Sequence, residues 1–106
     1  MWPLGYTCRV RVEKTDKYAR WIDALSDRAG RARILMRVER LIGGNPGQHR
    51  NLTEGVSELK IDVGPGYRVY YAHRGTRLLL LLAGGDKSSQ AKDIQLAISL
   101  ARNFGE

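Results

Sequence analysis

Between residues 58 and 83 the chain carries strand-length segments in immediate succession: ELKIDV, YRVYYAHR and RLLLLLA. Only GPG at 64–66 and the pair Gly75 and Thr76 separate them. Connections that short leave one arrangement open, adjacent antiparallel strands joined by tight turns. Alternation then sorts the side chains. Leu59, Ile61, Val63, Tyr67, Val69 and Tyr71 fall on one face, and Glu58, Lys60, Arg68, Tyr70, Ala72 and Arg74 on the other. The last segment is apolar on both faces, as suits a central or covered strand.

The flanking segments read as follows. YTCRVRVEK alternates, with Tyr6, Cys8, Val10 and Val12 inward and Thr7, Arg9 and Arg11 outward, which predicts a half-buried opening strand. Thr15 is placed to cap a helix whose apolar stripe is Tyr18, Trp21, Ile22 and Leu25. DRAG breaks it, and a second helix follows with Ile34, Leu35, Val38, Leu41 and Ile42 on one side, stopping at GGNPG. HRNLTEGVS reads as a polar connection. A last helix begins near Ser88 and turns Ile94, Ala97, Ile98 and Ala101 inward. The expected order is β-α-α-β-β-β-α in one domain spanning 1–106: an α+β fold, helices packed on one face of a twisted, mostly antiparallel sheet.

Charge narrows the partner. Eighteen Lys and Arg against eleven Asp and Glu give a net charge of +7, an excess that suits nucleic acid, an acidic protein or an anionic membrane surface, and equally a solvated basic surface kept for solubility. Arg33, Arg37 and Arg40 line the second helix opposite its apolar face, and Arg28 and Arg31 extend them into a basic ridge suited to RNA. Cys8 is the sole cysteine, so no internal disulfide forms; it reads as a small buried hydrophobe in a cytoplasmic protein. No signal peptide or membrane span is read, and the apolar run at 78–83 is too short to cross a bilayer. GGD at 84–86 lacks a Lys and Ser at P-loop spacing and reads as a strand exit aiming Lys87. Nothing resembles a metal site.

If the helices cover the apolar face, the opposite face stays open. The hairpin through GPG then brings Lys60 and Glu58 beside Arg68 and Tyr70, with Asp86 and Lys87 near the same rim. Such a hollow suits a phosphodiester: cations neutralise charge at phosphorus, and a base stacks on Tyr70. Glu and Arg pairs are equally ordinary on a solvated sheet, so alternation leaves catalysis and a plain polar face both open.

GVSELKIDVGPGYRVYY followed by LLLLLAGGDKSSQAKDIQLA resembles the RelE/ParE toxin superfamily, nearest its HigB-like branch of addiction-module killer proteins. The likeness runs from about Tyr6 to Phe104. It implies the fold already expected and a type II toxin made beside a helix-turn-helix antitoxin that silences it. The pair would repress its own operon, so operator DNA is touched only through the complex. RelE-like members cleave messenger RNA on the ribosome without metal or other cofactor: the 2′-hydroxyl attacks the adjacent phosphate and leaves a 2′,3′-cyclic phosphate. The resemblance puts the catalytic arginine at Arg68 and assisting cations at Lys60 and Lys87; the residue pattern itself offers Arg31, Arg33, Arg37, Arg40 and Arg74 as RNA contacts. Trp2 would pack on the antitoxin.

This chain departs from that pattern at Glu58, where a further basic residue is usual, and at Asp93, where a tyrosine often stands. Glu58 is a candidate general base, although Arg68 and Lys60 would depress its pKa. Tyr70 is the other candidate, as an orienting or stacking group. His73 and His49 read as structural or solvated. The ParE branch shares the fold, poisons DNA gyrase and generally lacks these cations. Keeping Arg68, Lys60 and Lys87 favours the ribonuclease; a gyrase poison or a non-catalytic basic binder is the alternative.

Overall fold

In a computed structural model of the chain, which describes residues 10–104, a turn forms at GPG, but the strand before it ends at Ile61 and not at Val63, so the connection runs over residues 62–66. Gly64 and Gly66 take φ of 55° and 82°, a region that side-chain-bearing residues avoid. The elements are β1 (Arg11–Lys14), α1 (Asp16–Ala24), α2 (Arg28–Ile42), β2 (His49–Asn51), β3 (Val56–Ile61), β4 (Tyr67–Arg74), β5 (Leu78–Asp86), a 3-10 turn (Lys87–Ser89) and α3 (Gln90–Asn103). They build one sheet in the order β1-β5-β4-β3-β2, antiparallel except between β1 and β5. The α+β class and the mostly antiparallel sheet are as expected. The readings of Trp2, Tyr6, Thr7, Cys8 and Arg9 lie outside the described residues.

Helix starts follow local chemistry. Thr15 Oγ1 accepts from Tyr18 N at 3.1 Å and donates to Leu82 O, capping α1 and tying it to β5. Asp27 caps α2 by accepting from Gly30 N at 3.0 Å, and its other oxygen takes the Tyr67 hydroxyl at 2.7 Å.

The structure corrects the reading in two further places. HRN is not connection but the edge strand β2, paired to β3 with Arg50 opposite Glu58. Its residues are all exposed, so no apolar alternation marks it. The helices also cover both faces of the sheet. α1 and α2 close one core over Leu59, Ile61, Val69, Tyr71, Leu79 and Leu81. α3 closes a second over Tyr70, Ala72, Leu78, Leu80, Leu82 and Ala83, through Ala97, Ile98 and Ala101. The cause lies in β5, whose five leucines present apolar surface to both sides and leave the second side in need of cover.

β5 also slips phase. Tyr70 pairs with Ala83 but Tyr71 with Leu81, so Leu82 is an extra residue in the ladder. Leu82 and Ala83 consequently both reach the α3 core. The alternation beyond them is inverted: Gly84 abuts Trp21, and Gly85 abuts Asp93 and Ser89.

Candidate functional site

Register brings part of the expected constellation together. Lys60 stands directly opposite Arg68 across the β3–β4 ladder, and Arg68 opposite Gly85 on β5. Facing residues of neighbouring strands share a side of the sheet, so the two cations point the same way. A Cβ built on Gly66 would lie 3.4 Å from Arg68 Nη1 and 3.6 Å from Lys87 Cβ, so Lys87 flanks the same spot from the 3-10 turn. Lys60, Arg68 and Lys87 therefore converge at one end of the sheet. Lys87 is exposed, Lys60 half-buried, and Arg68 only 6 % exposed. The Arg68 guanidinium turns back on its own hairpin, donating from Nη1 to Gly66 O at 3.1 Å.

Glu58 and Tyr70 form the adjacent row. Both are buried, and Glu58 is fully engaged: Oε1 accepts from Arg50 Nε and Oε2 from Gln90 Nε2, each at 2.8 Å. Arg68 Nε lies 3.7 Å from Oε2. Burial alone would raise the Glu58 carboxyl, but hydrogen bonds from Arg50 and Gln90 and the Arg50 charge outweigh it and leave its pKa lowered. A carboxylate so held is a weak base.

Tyr70 is sealed beneath α3 at 0 % exposure, which removes the expected stacking role in this arrangement. Burial, then the charge of Glu58, pushes its phenol well up. Among the described residues its buried hydroxyl finds no hydrogen-bond partner of ordinary geometry, so its relation to Glu58 is electrostatic. Asp86 is turned away, accepting from Ser88 N and Ser88 Oγ. Asp93 packs over Gly85 and accepts from Ser89 Oγ.

The basic ridge divides. Arg33 and Arg40 are exposed on α2 and line a groove of about 450 Å³ with Met36, Gly47 and Gln48. Arg37 instead donates to the carbonyls of Lys60, Pro46 and Gln48 at 2.8, 3.0 and 3.0 Å, bracing the loop before β2. Arg31 lies 3.7 Å from Asp23. Arg74 donates to Ala101 O and sits 5.9 Å from the Phe104 ring, pinning the end of α3. Arg50 and Gln90 were missed by the sequence reading. β2 carries no alternation to reveal Arg50, and Gln90 meets Glu58 only through the tertiary seating of α3. His49 and His73 are exposed. Among the described residues no group of three or more His, Cys, Asp or Glu is placed to hold a metal ion, and no helix is long and apolar enough to cross a membrane.

This architecture is that of the RelE fold. An arginine-to-alanine double mutant of the E. coli toxin RelE, in the free state, superposes with a TM-score of 0.71 over 91 % of this chain and 99 % of its own, at 11 % identity. No family model matches the chain. An uncharacterized protein of Haemophilus influenzae is 40 % identical over 96 residues, covering 91 % of this chain and 97 % of that protein. The chain belongs to the same family as this Haemophilus protein.

Proposed function

We propose that the chain is the toxin of a type II toxin–antitoxin pair, of the HigB-like kind, which stops translation in the cytoplasm by cutting messenger RNA at the ribosome. The observation that carries this reading is the in-register pair Lys60 and Arg68 with Lys87 beside it. Like charges directly opposite on a sheet destabilise it, and Glu58, 3.7 Å from Arg68, is shared with Arg50, so an anion beside Lys60 and Arg68 supplies further compensation. The RelE fold supports the toxin role, and the net charge of +7 supports a polyanionic target.

In this mechanism the 2′-hydroxyl oxygen bonds to the adjacent phosphorus and passes its proton to water, the bond from phosphorus to the 5′-oxygen breaks, that oxygen takes a proton from water, and a 2′,3′-cyclic phosphate and a 5′-hydroxyl remain. Arg68 and Lys60 stabilise the charge that builds on the phosphate oxygens, and Lys87 assists from the rim. Glu58 orients Arg68 instead of taking a proton, since both its oxygens already accept hydrogen bonds. Arg33 and Arg40 extend the RNA contact. A helix-turn-helix antitoxin silences the toxin, and the pair binds its operator.

A second reading draws on burial. With Arg68 6 % exposed and Tyr70 sealed, a ParE-like gyrase poison or a non-catalytic basic binder needs neither side chain in contact with a target. Induced expression with transcript-end mapping separates the two. Growth arrest with new messenger RNA ends, lost in Arg68→Ala while the fold persists, supports the nuclease. Arrest with intact transcripts and DNA breaks would replace it with the gyrase poison.

A further inference from the structure

Arg50 stands at the open edge of this site and has no part in the mechanism above. Its Nε holds Glu58 Oε1 at 2.8 Å while Arg68 Nε lies 3.7 Å from Oε2, so one buried carboxylate sits between two guanidiniums. The arginines differ in access: the Arg68 side chain is 7 % exposed and that of Arg50 57 %. Glu58 engages only Nε of Arg50, and its terminal Nη1 and Nη2 make no hydrogen bond among the described residues. Arg50 shares its face with Glu58, one row from Lys60 and Arg68.

Resting on the RNA-directed reading, we propose that Arg50 is the outer phosphate contact of this site, binding the backbone of single-stranded RNA beside the phosphate held by Lys60, Arg68 and Lys87. A guanidinium held by Nε keeps its two terminal nitrogens aligned as a fork, the geometry that meets two phosphate oxygens. Glu58 fixes that fork in place and offsets one of the two guanidinium charges, so Arg50 waits ordered and not as a free surface chain. Because Tyr70 presents no ring here, recognition runs through the backbone, tolerant of sequence and steeply dependent on salt.

The test uses the full chain and a 2′-O-methyl RNA oligonucleotide, which binds but is not cut, titrated at several salt concentrations. Arg50→Ala is expected to weaken binding about tenfold at low salt and to reduce the log–log salt slope by about 0.7, the loss of one phosphate contact. Arg50→Gln, which keeps a donor for Glu58 without the charge, is expected to do the same with the native circular dichroism spectrum intact. RNA binding that Lys60→Ala weakens but both Arg50 variants leave unchanged overturns this assignment alone. Competition by polyglutamate as effective as by RNA points to an acidic protein partner and overturns it too. No RNA binding by the unaltered chain overturns both this inference and the nuclease reading.

Discussion

Gly84 and Trp21 compete for the same space: a methyl group on Gly84 would sit 2.1 Å from Cε3 of the indole and 2.2 Å from Cζ3. The indole packs against bare backbone because the phase slip at Leu82 turns Gly84 toward α1. The indole is rigid and held against Tyr18 and Tyr67, with ring centroids 6.0 and 6.4 Å away. Gly84→Ala is therefore expected to destabilise the fold by about 1–3 kcal/mol, through displacement of Trp21. Chemical denaturation followed by tryptophan fluorescence measures it, and an unchanged midpoint would contradict this packing.

Tyr70 tests whether its ring or its hydroxyl matters. Among the described residues the buried hydroxyl has no hydrogen-bond partner of ordinary geometry, so removing it relieves an unsatisfied polar group. Tyr70→Phe should leave stability unchanged or raised by up to about 1 kcal/mol, with RNA affinity unaltered. A loss of affinity with the melting temperature preserved would return Tyr70 to the site.

Stability should fall in acid. Asp27, Glu54, Glu58 and Asp86 all have pKa values below their ordinary 3.8 or 4.5. The folded state thus binds protons less readily than the unfolded chain. The stabilisation from these groups is complete above their ordinary values and is lost as pH falls through the lower folded ones. The melting temperature should hold from neutrality to about pH 5 and drop below it. Glu58→Gln should make that drop shallower, as thermal unfolding across the pH series would reveal.

The basic ridge should separate by mutation. Arg37 donates to three backbone carbonyls, and Arg37→Ala should cost about 1–3 kcal/mol of stability. Arg33→Ala and Arg40→Ala, at exposed positions, should leave the melting temperature nearly unchanged while each reduces the salt slope of RNA binding by about 0.7. Equal melting temperatures across all three variants would refute the bracing role of Arg37.

Much of the fold was legible locally. Tight GPG and Gly75 turns force neighbouring strands to pair, and alternation then puts Lys60 and Arg68 on one face; that they stand directly opposite is set by a connection over residues 62–66, two residues longer than GPG. Thr15, the apolar stripe of α2 except Leu35, which is exposed, and the glycine stop after it each act within one helical turn, so they too could be read residue by residue.

What escaped was set by contacts distant in sequence. Periodicity says which side chains share a face but not which element comes to cover it, so α3 closing over Tyr70 could not be inferred from either segment alone. The bulge at Leu82 inverts β5 without a local mark, sending Gly84 to Trp21 and Gly85 to Asp93. β2 is a strand only because β3 offers it an edge, and that pairing is what brings Arg50 to Glu58. The cations come from the sequence pattern; their access to an anion is a property of the packing around them, because burial depends on neighbours that short-range order does not specify.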